Sequence, residues 1–529
     1  TSTPPAVPLA LSQWGARLDK GTTNDTQFGR SISMNDAGTL MLVGHPSAPG
    51  VAFGTDRGSI HLYWRNAVNS IWVEITELSG PGSASDGDLM GIDVTIAGHS
   101  NFIGTLGPVG AEFSQATPLV PGSPGFLHMA YSFGGDPNLG SGTGEVIVFN
   151  QQWGQSITAS RYETINTVGG AYDFGWSIDM SSNGQYLVIG APAVTGGTSS
   201  AAYVYFSDDL SSVLTQPFPS VPGYGNPFPL GSIAAAAGLQ KGYSVSVAHL
   251  VGNSYNAAVG VPGFNQVQIF NITGTVVSTS DTFDSPQYGD DMTFIDNSHA
   301  SYSSHGRFGH SVAFAKKKHV NGGDNGRNLV VGAPEAHGAI ASGSNSWHAV
   351  VAAQIVFTGP NAGGGHVMVF YRSGSEWHSA GDMPISPASL GISTTNFGAS
   401  VASRAQGPEW IGLDHIVIGS PGTLLGEALG GDPAGAVVLV DNSSITYTTP
   451  ATGTWTLVDS PIFCPDLSSH PNDPLAGFFG GTLLGDDFGH AVDIAAHPSL
   501  TNNPVIAASA IKEETVAGSP YGAVFTFET

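Results

Sequence analysis

Short runs of alternating apolar and polar residues, separated by glycine-rich turns, follow one another along this chain in a recurring order. The clearest copy reads Phe174-Gly175-Trp176-Ser177-Ile178-Asp179-Met180, then a polar turn ending Asn183-Gly184, then Tyr186-Leu187-Val188-Ile189-Gly190-Ala191-Pro192. Two alternating stretches around an Asn-Gly turn predict a β-hairpin. The unit returns as Phe28-Gly29 leading to Val43-Gly44-His45-Pro46, as Phe308-Gly309 leading to Val331-Gly332-Ala333-Pro334, and as Phe397-Gly398 leading to Ile418-Gly419-Ser420-Pro421. Three copies are degraded: Met90-Gly91 to Ile103-Gly104, Gly242-Tyr243 to Val259-Gly260-Val261-Pro262, and Phe488-Gly489 to Ile506-Ala507-Ala508. The units therefore begin near 28, 90, 174, 242, 308, 397 and 488.

A third strand follows each hairpin, as at 58–64, 144–149, 202–206 and 366–371, with β-branched and aromatic residues in alternation. A fourth opens on Trp72, Trp153, Trp377 and Trp455 in four of the units. Seven units of four antiparallel strands predict an all-β, seven-bladed β-propeller occupying residues 1–529 as one domain. The seventh unit stops at Thr529, straight after its third strand. Residues 12–20, with Trp14 to Leu18 at their centre, read as its missing fourth strand. Their pairing closes the ring and leaves no split blade with an open edge.

Phe-Gly followed by Gly-Ala-Pro, repeated in register along essentially the whole chain, resembles the FG-GAP repeat family, known from the integrin α-subunit propeller and fungal propeller lectins. That resemblance implies a ring used for recognition. Many members also hold Ca2+ in the turn between the first two strands, through an Asp-rich pattern. Hard cations need several oxygen ligands close together, yet the turns here read Asn35-Asp36-Ala37-Gly38, Ser181-Ser182-Asn183-Gly184 and Asn321-Gly322-Gly323-Asp324-Asn325-Gly326. Each holds at most one carboxylate, so ordinary Asn-Gly turn chemistry accounts for them. Asn321, Asp324 and Asn325 form the one remaining calcium candidate.

Composition agrees with short strands rather than helices. The 73 glycines and 34 prolines make up about a fifth of the chain, and charged residues only 10%. With 15 basic against 40 acidic residues, the net charge of −25 repels nucleic acid and anionic membranes. Bulk acidity otherwise serves solubility. Cys464 is the only cysteine, so no internal disulfide forms, and no apolar run is long enough for a transmembrane helix. The chain begins at Thr1 rather than Met, which points to removal of a signal peptide, of a pro-segment or of other upstream residues. Sequons at Asn24, Asn271 and Asn442 are glycosylation candidates.

Strand alternation puts second-to-third and fourth-to-first connections on one face of the ring. The long segments 107–142, 271–306, 335–364, 422–434 and 460–486 are assigned there. Their aromatic residues Phe113, Phe126, Tyr131, Phe133, Trp347 and Phe357 are the candidate ligand contacts, suited to sugar stacking or protein anchoring. No catalytic motif is present, and His305 and His310 beside Phe308-Gly309 lack further metal-ligating company. The expectation is a non-catalytic extracellular or surface binding module taking glycan or protein. The alternative is a structural subunit of a virion or appendage that uses the same loops against neighbouring subunits.

Overall fold

A computed structural model describes residues 12–13, 18–19, 27–46, 58–65, 71–79, 89–97, 126–133, 144–152, 162–166, 172–194, 199–206, 228–234, 240–251, 254–274, 276–284, 307–317, 325–334, 365–373, 376–380, 385–392, 396–405, 415–421, 435–442, 453–463, 488–496, 504–511 and 522–528. They form seven antiparallel blades around an axis, the seven-bladed propeller that the repeats predict. The N-terminal strand β1 (Ser12–Gln13) comes first, and blade one is β2 (Ile32–Met34), β3 (Leu40–His45), β4 (Ser59–Arg65) and β5 (Trp72–Ser79). Blade two is β6 (Val94–Ile96), β7 (Phe126–Phe133), β8 (Glu145–Gln152) and β9 (Tyr162–Asn166). Blade three is β10 (Ile178–Met180), β11 (Tyr186–Ala191), β12 (Ser199–Phe206) and β13 (Phe228–Ala234). Blade four is β14 (Val245–Val251), β15 (Ser254–Val261), β16 (Gln266–Thr273) and β17 (Val276–Asp284). Blade five is β18 (Ser311–Lys317), β19 (Asn325–Ala333), β20 (His366–Ser373) and β21 (Glu376–Ser379). Blade six is β22 (Ser400–Ala405), β23 (His415–Ser420), β24 (Ala436–Asp441), β25 (Thr456–Leu457) and β26 (Ile462–Phe463), the last two both pairing with β24. Blade seven is β27 (Val492–Ala496), β28 (Pro504–Ala510) and β29 (Ala523–Glu528).

The seventh blade lacks a fourth strand of its own, and β1 supplies it. Ser12 pairs with Glu528 and Gln13 with Phe527, and a bridge between Leu18 and Val524 continues the contact. The ring is closed as the sequence implies.

The core lies between blades rather than within them. Leu40, Leu42, Ile60 and Leu62 of blade one pack on Met90, Val94, Ile96, Met129 and Tyr131 of blade two. Six similar clusters fill the other junctions, down to Met41, Val43 and Tyr63 against Val505, Ala507 and Val524 at the seam. A blade is thin, so only a neighbour can cover each of its apolar faces.

The Phe-Gly box sets the distance between neighbouring blades. Gly242 has a φ of +84°, in the left-handed region. Its N–H donates to the Gly260 carbonyl in its own blade, at 3.0 Å. Its own carbonyl meets Gly190 of the preceding blade so closely that any Cβ at Gly190 would collide with it. Two repeats thus need glycine for reasons in different blades. In the degraded copies Ser132 and Ser509 replace the second-strand glycine, and their carbonyls still accept from Gly91 and Gly489. Lys241 occupies the place of phenylalanine before Gly242: its ammonium lies over the Phe270 ring at 5.3 Å and donates to Gln268 Oε1 at 2.6 Å.

A belt of side-chain hydrogen bonds links successive inner strands. In five blades the residue four after the box glycine is polar and accepts an N–H from the next inner strand. Ser33 takes Ile96 N–H at 3.2 Å, Thr95 takes Met180 at 3.2 Å and Asp179 takes Val247 at 2.8 Å. Ser246 takes Phe314 N–H at 3.1 Å, and Asp493 takes Met34 at 2.5 Å across the seam. Ala313 and Ala402 hold this position in blades five and six. Between those two blades the backbone joins directly, Lys316 pairing with Arg404 and Lys317 with Ala405 in parallel.

Two strand expectations need correction. The second strand of blade two is β7, its Tyr131 paired with Val94, not the stretch around Ile103-Gly104. The fourth strand of blade two starts at Tyr162, not at Trp153, which lies outside the described residues. Met129-Ala130-Tyr131-Ser132 carries serine where the repeat has glycine, so the box there is hidden.

Candidate functional site

The seven inner strands enclose an axial cavity of about 610 Å³. Its chemistry follows from one position in the repeat. The residue directly after each box glycine precedes the inner strand and lines the channel at the end where fourth-to-first connections enter. In chain order this position holds Arg30, Ile92, Trp176, Tyr243, His310, Ala399 and His490. All seven are half-buried. The glycine before this position is constant, whereas the side chain at the position changes from one copy to the next.

Three of these residues form an aromatic arc. The rings of Trp176 and Tyr243 lie 5.7 Å apart, and those of Tyr243 and His310 4.7 Å apart. Arg307 sits over the Tyr243 ring at 4.8 Å and donates to Gln240 Oε1 at 3.2 Å. His310 Nδ1 is 3.1 Å from the Ala399 carbonyl, which fixes the ring across the blade junction.

The positive charge at the mouth belongs to Arg30 and Arg307. Burial, then the Arg307 charge, pushes the His310 imidazole down to about 3. Burial, then Arg30 and His310, does the same for His490, also to about 3. Both rings are neutral at pH 7. Deeper in the channel, burial raises Asp93 to about 7, against the lowering effect of the Ile178 and Val94 N–H groups that it accepts at 2.7 and 2.9 Å. Asp93, Asp179 and Asp493 line the walls, but each spends oxygens on backbone N–H groups of the next blade or its own. The mouth is cationic and aromatic in a chain of net charge −25. It suits a ligand with a flat or apolar face and an anionic group.

The aromatic residues expected to contact ligand do not gather at this site. Tyr131 is in β7 with 2% of its surface exposed, packed in the junction of blades one and two, so it is a core residue and not a loop contact. Phe126 and Phe133 are the first and last residues of the same strand rather than parts of a loop. Phe113, Trp347 and Phe357 lie outside the described residues. Because β7 starts at Phe126, segment 98–125 joins a first to a second strand and belongs to the face opposite the one expected. Asp281 and Asp284 fall within β17, paired with Ile269 and Gln266. Of the calcium candidates, Asn321 and Asp324 are outside the described residues, and Asn325 opens β19. Asn271, a sequon, sits half-buried in β16, where Arg372 donates to its Oδ1 at 3.2 Å. Of the mouth residues the sequence reading singled out His310 for metal chemistry alone, and it did not compare their position across the repeats. Their signal was variety at one position in otherwise constant repeats.

No protein-family model matches the chain, and no curated protein matches it. Among solved structures it is similar to Saccharomyces cerevisiae Sqt1, at 10% identity and a TM-score of 0.40, over 98% of this chain and 100% of that one. It is similar to the N-terminal domain of Nup159 at 8% identity and a TM-score of 0.37, over 98% and 94%. A candidate 6-phosphogluconolactonase from Bacteroides uniformis gives 8% and 0.38, over 82% and 85%. Similarity at this level carries no functional argument. The fold rests on the strand order and pairing above.

Proposed function

We propose that this chain is a non-catalytic recognition module of the FG-GAP type, working outside the cell or on a surface, which takes its ligand at the axial mouth. The ligand class is a carbohydrate or protein group that carries a carboxylate. One observation supports this above others: the position that varies from repeat to repeat gathers Arg30, Trp176, Tyr243 and His310 around one opening. Arg307 joins them from the preceding residues. A guanidinium pairs with a carboxylate through two parallel hydrogen bonds, and an indole or phenol covers the apolar face of a sugar ring or side chain.

A binding screen of acidic and neutral oligosaccharides and of acidic peptides, followed by titration of any hit, tests this. Arg30→Ala and Trp176→Ala should each weaken binding about tenfold or more while the circular dichroism spectrum stays unchanged. Hits that bind both variants as tightly as the parent would refute the assignment of the mouth. Isolation of the native protein solely within a large particle would favour a structural subunit instead.

A further inference from the structure

Away from the channel, on the outer half of blade one, a histidine and two glutamates converge. His61 lies in the middle of β4 and is fully buried. Its Nδ1 is 2.9 Å from Glu74 Oε1 and 4.0 Å from Glu77 Oε2, both carboxylates belonging to β5. One ligand atom from each of the three residues lies within 4.8 Å of the others. We propose that His61, Glu74 and Glu77 bind a divalent first-row transition cation, with Zn2+ as the best fit.

The pairing explains why two glutamates three apart in sequence share one side. On a regular strand such residues face opposite ways. Here Leu62 pairs with Thr76 and Tyr63 with Glu74, so Ile75 is an extra residue in a β-bulge. The bulge restores Glu74 to the side of Glu77, which stands directly opposite His61. Bulges that re-aim a side chain in this manner recur beside functional sites.

The histidine is held as a ligand should be held. Its Nε2 shares a hydrogen bond of 2.9 Å with Ser59 Oγ, and its ring packs on Phe28 at 5.4 Å. When Nε2–H donates to Ser59, the Nδ1 lone pair faces the two carboxylates, and a partner on the far nitrogen is the usual means of orienting a ligating imidazole. With the proton on Nδ1, the ring donates to Glu74 instead. A cation and that proton compete for one lone pair.

Donor atoms around tetrahedral zinc sit roughly 3.3 Å apart, as bonds of about 2.0–2.1 Å require. The observed 2.9 and 4.0 Å straddle that value, so small rotations of exposed glutamate side chains suffice. One imidazole and two carboxylates leave a fourth position for water or an outside donor. Ca2+ would find too few oxygens.

Calorimetric titration of the metal-free full chain with Zn2+, and separately with Co2+ followed by its visible absorption, tests the site. One equivalent should bind, and an equal concentration of Ca2+ should not displace it. Glu77→Gln should weaken binding about tenfold, and Glu74→Gln/Glu77→Gln about a hundredfold, with the melting profile of the metal-free protein retained. These two residues are exposed, so the fold does not depend on them as it does on His61. Absence of stoichiometric binding by the parent would overturn the proposal. So would undiminished binding by the double variant, which would place the ion among other residues of a chain with 17 histidines.

Discussion

Arg65 at the end of β4 is ion-paired with Glu528 at the end of β29, so blade one and blade seven are joined by two buried charges at the seam of the ring. Arg65 also donates its backbone N–H to Thr39 at 2.9 Å, and Glu528 stands opposite Ser12 in the closing strand pair. Breaking such a pair strands a charge. Arg65→Met should lower unfolding free energy by about 3–5 kcal/mol, measured by urea denaturation, and the double change Arg65→Met/Glu528→Leu should recover most of it. A single variant within about 1 kcal/mol of the parent would show that the pair does not hold the seam.

Glycine at the second strand is dictated by the next blade. Gly190→Ala forces a Cβ into the carbonyl of Gly242, and blade backbones cannot move independently. The expected loss is at least about 3 kcal/mol. Ser509→Gly, at the matching position of blade seven, should cost much less, because that junction already accommodates a Cβ. Paired thermal melts of the two variants check the contrast, and equal losses would contradict it.

Lys241 pays for its place in the core. Burial lowers its ammonium from the usual 10.5 to about 8. Between these values the unfolded chain binds more protons than the folded one, so this group makes stability rise as pH increases from about 8 to 10.5. Lys241→Met keeps the stem and removes the charge. It should raise stability at pH 7 by roughly 1–3 kcal/mol and flatten the alkaline slope. A variant less stable than the parent at pH 7 would mean that the Gln268 hydrogen bond outweighs the desolvation.

Acid should loosen the ring. Burial lowers His310 and His490 to about 3 and His366 and His415 to about 4, against an ordinary 6.5. Across that window the folded state binds fewer protons, so stability is lost as pH falls below about 6.5. Asp93, raised to about 7 from 3.8, works in the opposite direction, one group against four. Melting temperature should therefore drop from pH 7.5 to pH 5, and His366→Gln should reduce that drop. An increase would mean that raised carboxylates dominate.

The blade count and the closing strand were legible because a repeat writes its backbone demands into fixed residues. A glycine marks each inner strand, after phenylalanine in five of the seven, since only glycine adopts the conformation of Gly242 without strain. Blade two was misread where that demand relaxes: Ser132 does the work of glycine through its carbonyl alone, while Ile103-Gly104 imitates the box by chance. Lys241 was hidden because a charged residue stands where the repeat has phenylalanine, its ammonium held by the Phe270 ring and Gln268. The axial mouth was harder still. Arg30, Trp176 and Tyr243 are neighbours only after the ring closes, and their separations of scores of residues carry no local signature. The His61, Glu74 and Glu77 cluster depends on a bulge, which alternation alone does not reveal.

Seven junctions of similar sequence are not mechanically equal. Five carry the belt of side-chain bonds between inner strands, and the junction of blades five and six is stitched by parallel backbone pairing. Blade six meets blade seven with Ala402 at the belt position, and there the Ser400 hydroxyl holds the Gly489 carbonyl at 2.8 Å. A parallel bridge between Gly435 and Phe488 joins the same two blades. Neighbouring blades are thus fastened by different bonds at different junctions, and the borrowed strand completes blade seven where Asp493 and Met34 already tie it to blade one.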